Sequence, residues 1–461
     1  MQNMSLEQIA GATGGTYHGA PELKPLEING VAIDSRKIEE GYLFVPIKGV
    51  RVDGHDFIPQ VMQAGALCTL TEHELPDALY PYIIVASCEQ ALKDLARYYR
   101  NSLDIKVIGI TGSVGKTSTK EMIASILAQK YKVLKTEGNY NNEIGLPLTI
   151  FNIRSEHEIA ILEMGIDHFG EMHRLADVAQ PDISVITNIG MAHMENLGSR
   201  EGILKAKTEM FDHLKLNASI VLNGDDDMLT TVSDIHGIKP AFFGLSESCD
   251  IYASNIRNQG LCGTGCNIHF PDGELMVTIP IPGEHMVYNA LAGACIGQLL
   301  GLDYAQIKMG IESLTPVSGR NNIIQTDDLV IIDDCYNANP VSMKASLDVL
   351  TSGRHRKVAV MGDMFELGAD ERILHYEIGQ YAAEKGIDLI CCIGDLAYEA
   401  YQGAKQHTDG DTAVSYFLTK EDFIANLQGI IRKNDTVLVK ASNGMKFTEL
   451  VEKLKLFKIN K

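Results

Sequence analysis

No run of 18 consecutive apolar residues occurs in this 461-residue chain, so no membrane-spanning helix is expected. The opening Met1-Gln2-Asn3-Met4-Ser5-Leu6-Glu7 lacks the basic segment and apolar stretch of a secretory signal. Paired cysteine motifs are missing as well. Nine cysteines are scattered along the chain, with Cys262 and Cys266 close and Cys391 and Cys392 adjacent. No second CxxC pair or neighbouring histidine set accompanies them, which argues against structural zinc. An odd count without a signal fits reduced thiols in a cytoplasm. Positive charge is short: 40 Lys and Arg against 60 Asp and Glu give a net charge of -20. Such a surface repels nucleic-acid phosphates, so no nucleic-acid partner is expected, while local basic pockets for a nucleotide remain open. Fixed-period repeats and low-complexity tracts are also absent.

The sequence does contain ample core material, 45% hydrophobic against 22% charged residues. At roughly 150 residues per domain, about three domains are expected. Residues 1–104 mix short strand-like runs with glycine turns and close on an amphipathic helix over 91–99. From 105 to 315, apolar runs at 106–110, 159–162, 183–187 and 219–222 alternate with helical patterns, and Pro282-Gly283 opens a helix to about residue 300. From 316 to 461, runs at 329–332, 358–361, 389–393 and 437–439 alternate with helices again. Such alternation implies mostly parallel sheets covered by helices, the last unit doubly wound.

The most informative stretch is Gly109-Ile110-Thr111-Gly112-Ser113-Val114-Gly115-Lys116-Thr117-Ser118. Ile110 breaks the strict G-x-x-x-x-G-K-[ST] spacing, but the shorter T-G-x-x-G-K-T form is intact. Small residues let main-chain N–H groups approach phosphate oxygens, and the following helix N-terminus adds partial positive charge. Thr111 to Ser118 are therefore the expected nucleotide-binding residues. Lys116 would reach the β- and γ-phosphates, and the Thr117 hydroxyl would meet Mg²⁺.

Other candidates have two readings each. Glu163 ends the run Ile161-Leu162-Glu163 and is either a Mg²⁺ ligand or a strand-end acid. His193 follows an apolar run in Thr187-Asn188-Ile189-Gly190-Met191-Ala192-His193 and is either a site residue or a structural histidine. Lys205 and Lys207 in Leu204-Lys205-Ala206-Lys207-Thr208 are a helix's cationic face or a site. The loop Thr136 to Gly145, with Asn139, Asn141 and Asn142, is a polar turn or a substrate contact.

Taken together, TGSVGKT, TEGNYNNEIG, EMG, TNIGMAHMENLG, LKAKTEMF, NGDD, PGEHMVYNA, DDCYNANP and GDMFELG resemble the Mur ligases of peptidoglycan synthesis over most of the chain. The resemblance implies an α/β protein of three domains: a smaller N-terminal α/β domain for the UDP-sugar, a central P-loop-type ATPase with a mostly parallel sheet, and a C-terminal Rossmann-like domain. DDCYNANP and GDMFELG imply the family activity that joins D-alanyl-D-alanine to UDP-N-acetylmuramoyl-tripeptide, using ATP and two Mg²⁺ ions, in a cytoplasmic monomer. By resemblance, Lys207 is a carbamylated lysine sharing the second Mg²⁺ with His193, while Thr117 and Glu163 hold the Mg²⁺ on ATP. Lys116, His193, Lys207 and Arg320 are then the catalytic set. Asn289 meets the adenine, Arg320 the phosphates and Asp334 the ribose. Asp34, Ser35 and Arg36 resemble the uridine-diphosphate site, Asn139 and Asn142 a substrate contact, and Tyr336, Asn337 and Asn339 the acceptor pocket. One departure stands out. The family's Lys-Gly-Ser-Arg reads Lys440-Ala441-Ser442-Asn443 here, leaving Lys440 or Lys446 to supply a cation. Three rivals are a sister ligase adding another amine, a silent nucleotide-binding scaffold and a phosphate-loop kinase. The D-N-P-R motif of the diaminopimelate-adding sister is absent.

Overall fold

The computed structural model describes residues 1, 3–191, 194–408 and 410–458. They form two compact units that interleave along the chain. The first comprises Met1–Thr111, Tyr131–Val185 and Lys207–Ser219; the second comprises Gly112–Lys130, Ile186–Ala206 and Ile220–Lys461.

In the first unit, a five-stranded sheet runs Thr16–His18, Tyr82–Ile84, Cys68–Thr71, Tyr42–Phe44, Gly30–Ala32. All neighbours are parallel except the first pair. The helix expected over 91–99 spans Cys88–Asn101, started by the Ser87 side chain accepting from Gln90 N. Its Ala91, Leu92, Leu95, Ala96 and Tyr99 recur at helical spacing and are all buried. Tyr99 Oη donates to Ile153 O at 2.7 Å, so even this buried phenol is satisfied. Beyond it, Lys106–Thr111 and Ile159–Glu163 pair in parallel, as do Ile159–Glu163 and Val133–Lys135. Every residue of Ile159–Glu163 is buried, as an unbroken apolar run in a sheet covered on both faces requires.

In the second unit, Ser219–Asn223, Ala241–Gly244 and Ile251–Asn258 pair in parallel, then Thr264–Phe270 and Gly273–Ile279 add antiparallel. The turn into the last strand is Pro271-Asp272-Gly273, a strong local hairpin signal. Glycines bring three helices of this unit unusually close. Cβ atoms at Gly293 on His285–Leu299 and Gly310 on Tyr304–Glu312 would run into Ile126 on Lys116–Leu127. That packing seats the phosphate-loop helix.

The C-terminal sheet orders Asn322–Gln325, Val330–Asp333, Thr436–Lys440, Lys357–Gly362, Leu389–Ile393, Ala413–Phe417. Only the first pair is antiparallel. Helices Pro340–Thr351, Glu371–Glu384 and Ala397–His407 pack on one face; Lys420–Ala425, Leu427–Ile430 and Thr448–Lys455 pack on the other. The chain leaving Lys440 thus turns to the opposite face from the chain leaving its two neighbours. Loops diverge there at the carboxyl ends of the strands, which is where doubly wound sheets bind ligands.

All nine cysteines are unpaired, and only Cys262 is exposed. Burial pushes the thiols of Cys88 and Cys391 up to about 12. No helix among the described residues is long and apolar enough to cross a membrane.

Helices Glu371–Glu384 and Ala397–His407 also meet through glycine. A Cβ on Gly379 would run into the carbonyl of Ala400, and one on Gly403 into the carbonyl of Tyr376. Either Gly379→Ala or Gly403→Ala is expected to destabilise the chain by about 1–3 kcal/mol through overpacking, read as a lowered midpoint in thermal or urea unfolding.

Candidate active site

The phosphate loop forms because two glycines adopt backbone angles that side chains rarely tolerate. Gly112 has φ 153° and Gly115 has φ 83°, the latter as N-cap of the helix Lys116–Leu127. A Cβ on Gly112 would collide with Thr187 Oγ1. The loop is held from outside by the residues directly after the strand Ile183–Ile186. Thr187 Oγ1 donates to Val114 O at 2.6 Å, Asn188 Nδ2 to the same carbonyl at 2.9 Å, and Asn188 Oδ1 accepts from Val114 N at 2.9 Å. Ser113 N donates to Asn188 O at 3.0 Å, and Gly190 N to Ser113 Oγ at 2.9 Å. Asp226 supports this clamp from behind, accepting from Ile189 N at 2.8 Å with one oxygen and from Met228 N and Leu229 N with the other. Thr187, Asn188 and Asp226 were not among the expected site residues; the signal for them was a polar pair placed directly after an apolar run.

Of the expected residues in this unit, Lys116 Nζ donates back to Gly112 O at 2.8 Å. Thr117 is buried on the first turn and Ser118 follows it, half-buried. Asn289 joins them, since its Oδ1 accepts from Thr119 Oγ1 at 2.9 Å on the phosphate-loop helix. The loop offers main-chain donors and a helix N-terminus to a phosphate.

At the carboxyl edge of the C-terminal sheet, the remaining expected residues cluster. Gly319 N donates to Asp333 Oδ2 at 2.8 Å and Tyr336 N to Gly319 O at 3.0 Å. This pins the turn that carries Arg320, whose guanidinium lies over the Tyr336 ring at 4.1 Å. Asp334 accepts from Asn321 N at 3.0 Å and, through its other oxygen, from Ser346 Oγ and from Lys440 Nζ at 2.6 Å. Lys440 Nζ also donates to Asn337 O at 3.1 Å, and its side chain is only 2% exposed. Lys440 is therefore committed to holding the 334–339 loop, and Lys446, exposed with φ 55°, is the cation left free of that duty. Asn339 caps the helix Pro340–Thr351 by accepting from Ser342 N. Asn337 Oδ1 accepts from Ala338 N at 2.9 Å.

In the first unit, Thr111 ends its strand with a buried Oγ1 that has no hydrogen-bond partner among the described residues. Glu163 is 2% exposed at the end of Ile159–Glu163. Its Oε1 accepts from Asn141 Nδ2 at 2.9 Å, and its N–H donates to Thr136 Oγ1 at 2.9 Å. The asparagine loop thus reaches the acid through Asn141. Asn142 instead caps its own turn, accepting from Gly145 N at 2.8 Å, and Asn139 is exposed. Lys207 is 1% exposed near the end of the helix Arg200–Thr208. A lysine so deeply buried can stay charged only with its ammonium paired or hydrogen-bonded. Asp34, Ser35 and Arg36 open a 3-10 turn, with Arg36 Nε and Nη2 on the Asp34 carboxylate at 2.9 and 2.7 Å. The guanidinium holds that carboxyl down to about 2. His193 lies outside the described residues.

Two substitutions probe this geometry. Gly112→Ala is expected to lower nucleotide affinity by about tenfold or more, since the loop must shift to admit the methyl, measured by ADP titration calorimetry. Lys440→Met leaves Asp334 without its buried cation and is expected to cost about 3–5 kcal/mol in stability, measured by equilibrium unfolding.

Comparison with known proteins agrees along the whole chain. Residues 27–100 match the Mur ligase family catalytic domain model, 110–297 the Mur ligase middle domain and 319–443 the Mur ligase glutamate ligase domain. A Bacillus subtilis protein named UDP-N-acetylmuramoyl-tripeptide–D-alanyl-D-alanine ligase is 38% identical over 459 residues, covering 98% of this chain and 99% of that one. A crystal structure of MurF from Acinetobacter baumannii is 33% identical with a TM-score of 0.91, covering 98% and 99% of the two chains. MurF from Thermotoga maritima in complex with ADP is 30% identical with a TM-score of 0.82, covering 93% and 97%. The chain belongs to the Mur ligase family of three-domain, ATP-dependent ligases.

Proposed function

We propose that the chain joins D-alanyl-D-alanine to UDP-N-acetylmuramoyl-tripeptide at the expense of ATP, giving the pentapeptide nucleotide, ADP and phosphate. The observation that carries this reading is the end-to-end likeness to a ligase of that name at 38% identity, on a chain whose phosphate loop is intact. The proposed domains are 1–104 for the UDP-substrate, 105–315 for ATP and 316–461 for ligation.

The tripeptide's terminal carboxylate oxygen attacks the γ-phosphorus, and the bond to the bridging oxygen of ADP breaks. The dipeptide's amine then attacks the acyl carbon, phosphate leaves and the amine loses its proton. The loop from Gly112 to Thr117 binds the phosphate chain through main-chain N–H groups other than those of Ser113 and Val114, which Asn188 holds, and Lys116 and Arg320 neutralise the charge that develops on the transferring group. Asn289 meets the adenine and Asp334 the ribose. Asp34, Ser35 and Arg36 take the uridine diphosphate, Asn139 and Asn142 the peptide arm, and Tyr336, Asn337 and Asn339 the acceptor dipeptide. Thr117 and Glu163 offer the hard oxygen donors that Mg²⁺ prefers. His193 and a carbamylated Lys207 would hold a second ion, a modification that turns a buried cation into a carboxylate-type ligand. Bound Mg²⁺ supplies charge neutralisation on the phosphates. We further assign the chain to the cytoplasm as a monomer.

The test mixes the protein with ATP, Mg²⁺, UDP-N-acetylmuramoyl-tripeptide and D-alanyl-D-alanine, following free phosphate and nucleotide mass. The expected outcome is phosphate release with a mass gain of one dipeptide unit. Turnover only with the dipeptide nucleotide and a diamino acid would move the protein to a sister reaction, and no turnover with either pair would sink the ligase reading. Lys207→Ala is expected to reduce turnover by about a thousandfold or more and to abolish the carbamate resonance seen by ¹³C NMR in labelled bicarbonate.

A further inference from the structure

At the carboxyl edge of the C-terminal sheet, one apolar ring is left in the open. Phe365 follows the strand Lys357–Gly362 and is 41% exposed, whereas its apolar neighbours Met364 and Leu367 are buried. The segment is held firmly. Met364 N donates to His375 Nε2 at 2.9 Å, and Phe365 N donates to Ser442 Oγ at 2.9 Å. Ser442 is buried; its Oγ donates onward to Ala338 O at 3.5 Å, and its N–H donates to Asp363 O at 3.0 Å. Beside it, Asn443 N donates to Asn337 Oδ1 at 3.4 Å. The loops leaving three neighbouring strands, Val330–Asp333, Thr436–Lys440 and Lys357–Gly362, are thus stitched together around one serine.

The Phe365 ring lies against Gly444, where a Cβ would stand 3.1 Å from the ring. A side chain at that position would push the ring outward, so glycine sets its depth. After Phe365 the chain takes φ 64° at Glu366 and φ 68° at Gly368, and a left-handed angle at a non-glycine residue persists only where the surroundings enforce it. At Gly368 the same loop borders the central part of the chain, a Cβ there standing 3.8 Å from Glu195 N. The proposed acceptor, D-alanyl-D-alanine, carries an ammonium, an amide, a carboxylate and two methyl groups. Asn337 and Asn339 offer polar partners only, and the ring of Tyr336 is covered by the Arg320 guanidinium. The methyl groups need apolar surface, as most small-ligand sites provide alongside a few polar groups. In these three loops Phe365 is the large apolar side chain that is exposed.

We propose that Phe365, seated on Gly444, is a specificity-determining residue of the acceptor site, the apolar wall against which the methyl groups of D-alanyl-D-alanine pack. This assignment rests on the ligase reading above and adds to it how the acceptor is told from a dipeptide without side chains. The polar groups of the loop hold the dipeptide's main chain, and the ring selects for what hangs from it. Ser442 couples the two functions, since it fixes Phe365 with the oxygen that also reaches the asparagine loop at Ala338.

The test measures kcat and KM of the full chain for D-alanyl-D-alanine and for glycylglycine, with ATP, Mg²⁺ and the tripeptide nucleotide saturating. Phe365→Ala is expected to lower the ratio of the two kcat/KM values by about 10-fold or more, the worth of a methyl contact in an apolar pocket, with the loss falling on the KM for D-alanyl-D-alanine. Phe365→Leu, which keeps apolar surface, is expected to hold most of the wild-type ratio. Each ratio is taken within one variant, so any fraction that fails to fold cancels. A wild-type ratio in Phe365→Ala, or an equal fall in Phe365→Leu, would overturn the assignment and leave Phe365 a packing partner of Gly444. Wild type that turns over neither dipeptide refutes the ligase reading and this assignment with it. Wild type that turns over D-alanyl-D-alanine, with a ratio indifferent to Phe365, refutes this assignment alone.

Discussion

A phosphate loop must keep enough of its main-chain N–H groups available for phosphate and still hold its shape. Those demands conflict, because a loop with unspent donors has little of its own to stabilise it. Here the conflict is resolved from outside. Thr187 and Asn188 take both the carbonyl and the N–H of Val114, while Asp226 fixes the segment carrying them. Gly112 is confined by the same arrangement, since the space its side chain would need is occupied by Thr187 Oγ1. The nucleotide end of the protein depends on this clamp as much as on the loop's own sequence.

The C-terminal edge solves a related problem with charge. Asp334, Asn337 and Asn339 lie on one loop, and Lys440 ties two of them to the neighbouring strand from a position closed to water. A buried pair of this kind adds little net stability, but it fixes geometry. That commitment explains why Lys440 is a poor stand-in for the arginine missing at Asn443: its ammonium is already spent inside the loop. A cation from this edge to a substrate has to come from Lys446 or Arg320.

Much of this was legible in the residues. Apolar runs named the buried parallel strands to within a residue or two, as at Leu389–Ile393 and Ile159–Glu163, because a strand covered on both faces admits nothing else. The strands Ile251–Asn258, Thr264–Phe270 and Gly273–Ile279 were not anticipated. Ile251–Asn258 and Gly273–Ile279 are partly solvated and alternate imperfectly, while Thr264–Phe270 between them is mostly buried but rich in Thr, Gly and Asn rather than a clean apolar run. In the site, charged and glycine positions stood out, whereas Thr187, Asn188 and Asn141 act by hydrogen bonds to backbone or to a single carboxylate. Such roles depend on three-dimensional aim and leave little trace in spacing. The commitment of Lys440 was invisible for the same reason.

The distribution of thiols has a consequence for watching this protein move. Cys68 and Cys88 belong to the N-terminal sheet and the helix against it, Cys295 to the glycine-lined central helix, Cys391 and Cys392 to the C-terminal sheet. All are buried, and burial keeps each protonated. A thiol reagent therefore reacts at Cys262 at once and at the others only when their own region opens. Each part of the chain carries its own chemical clock, and the order in which the clocks start ranks the parts by how readily they come apart.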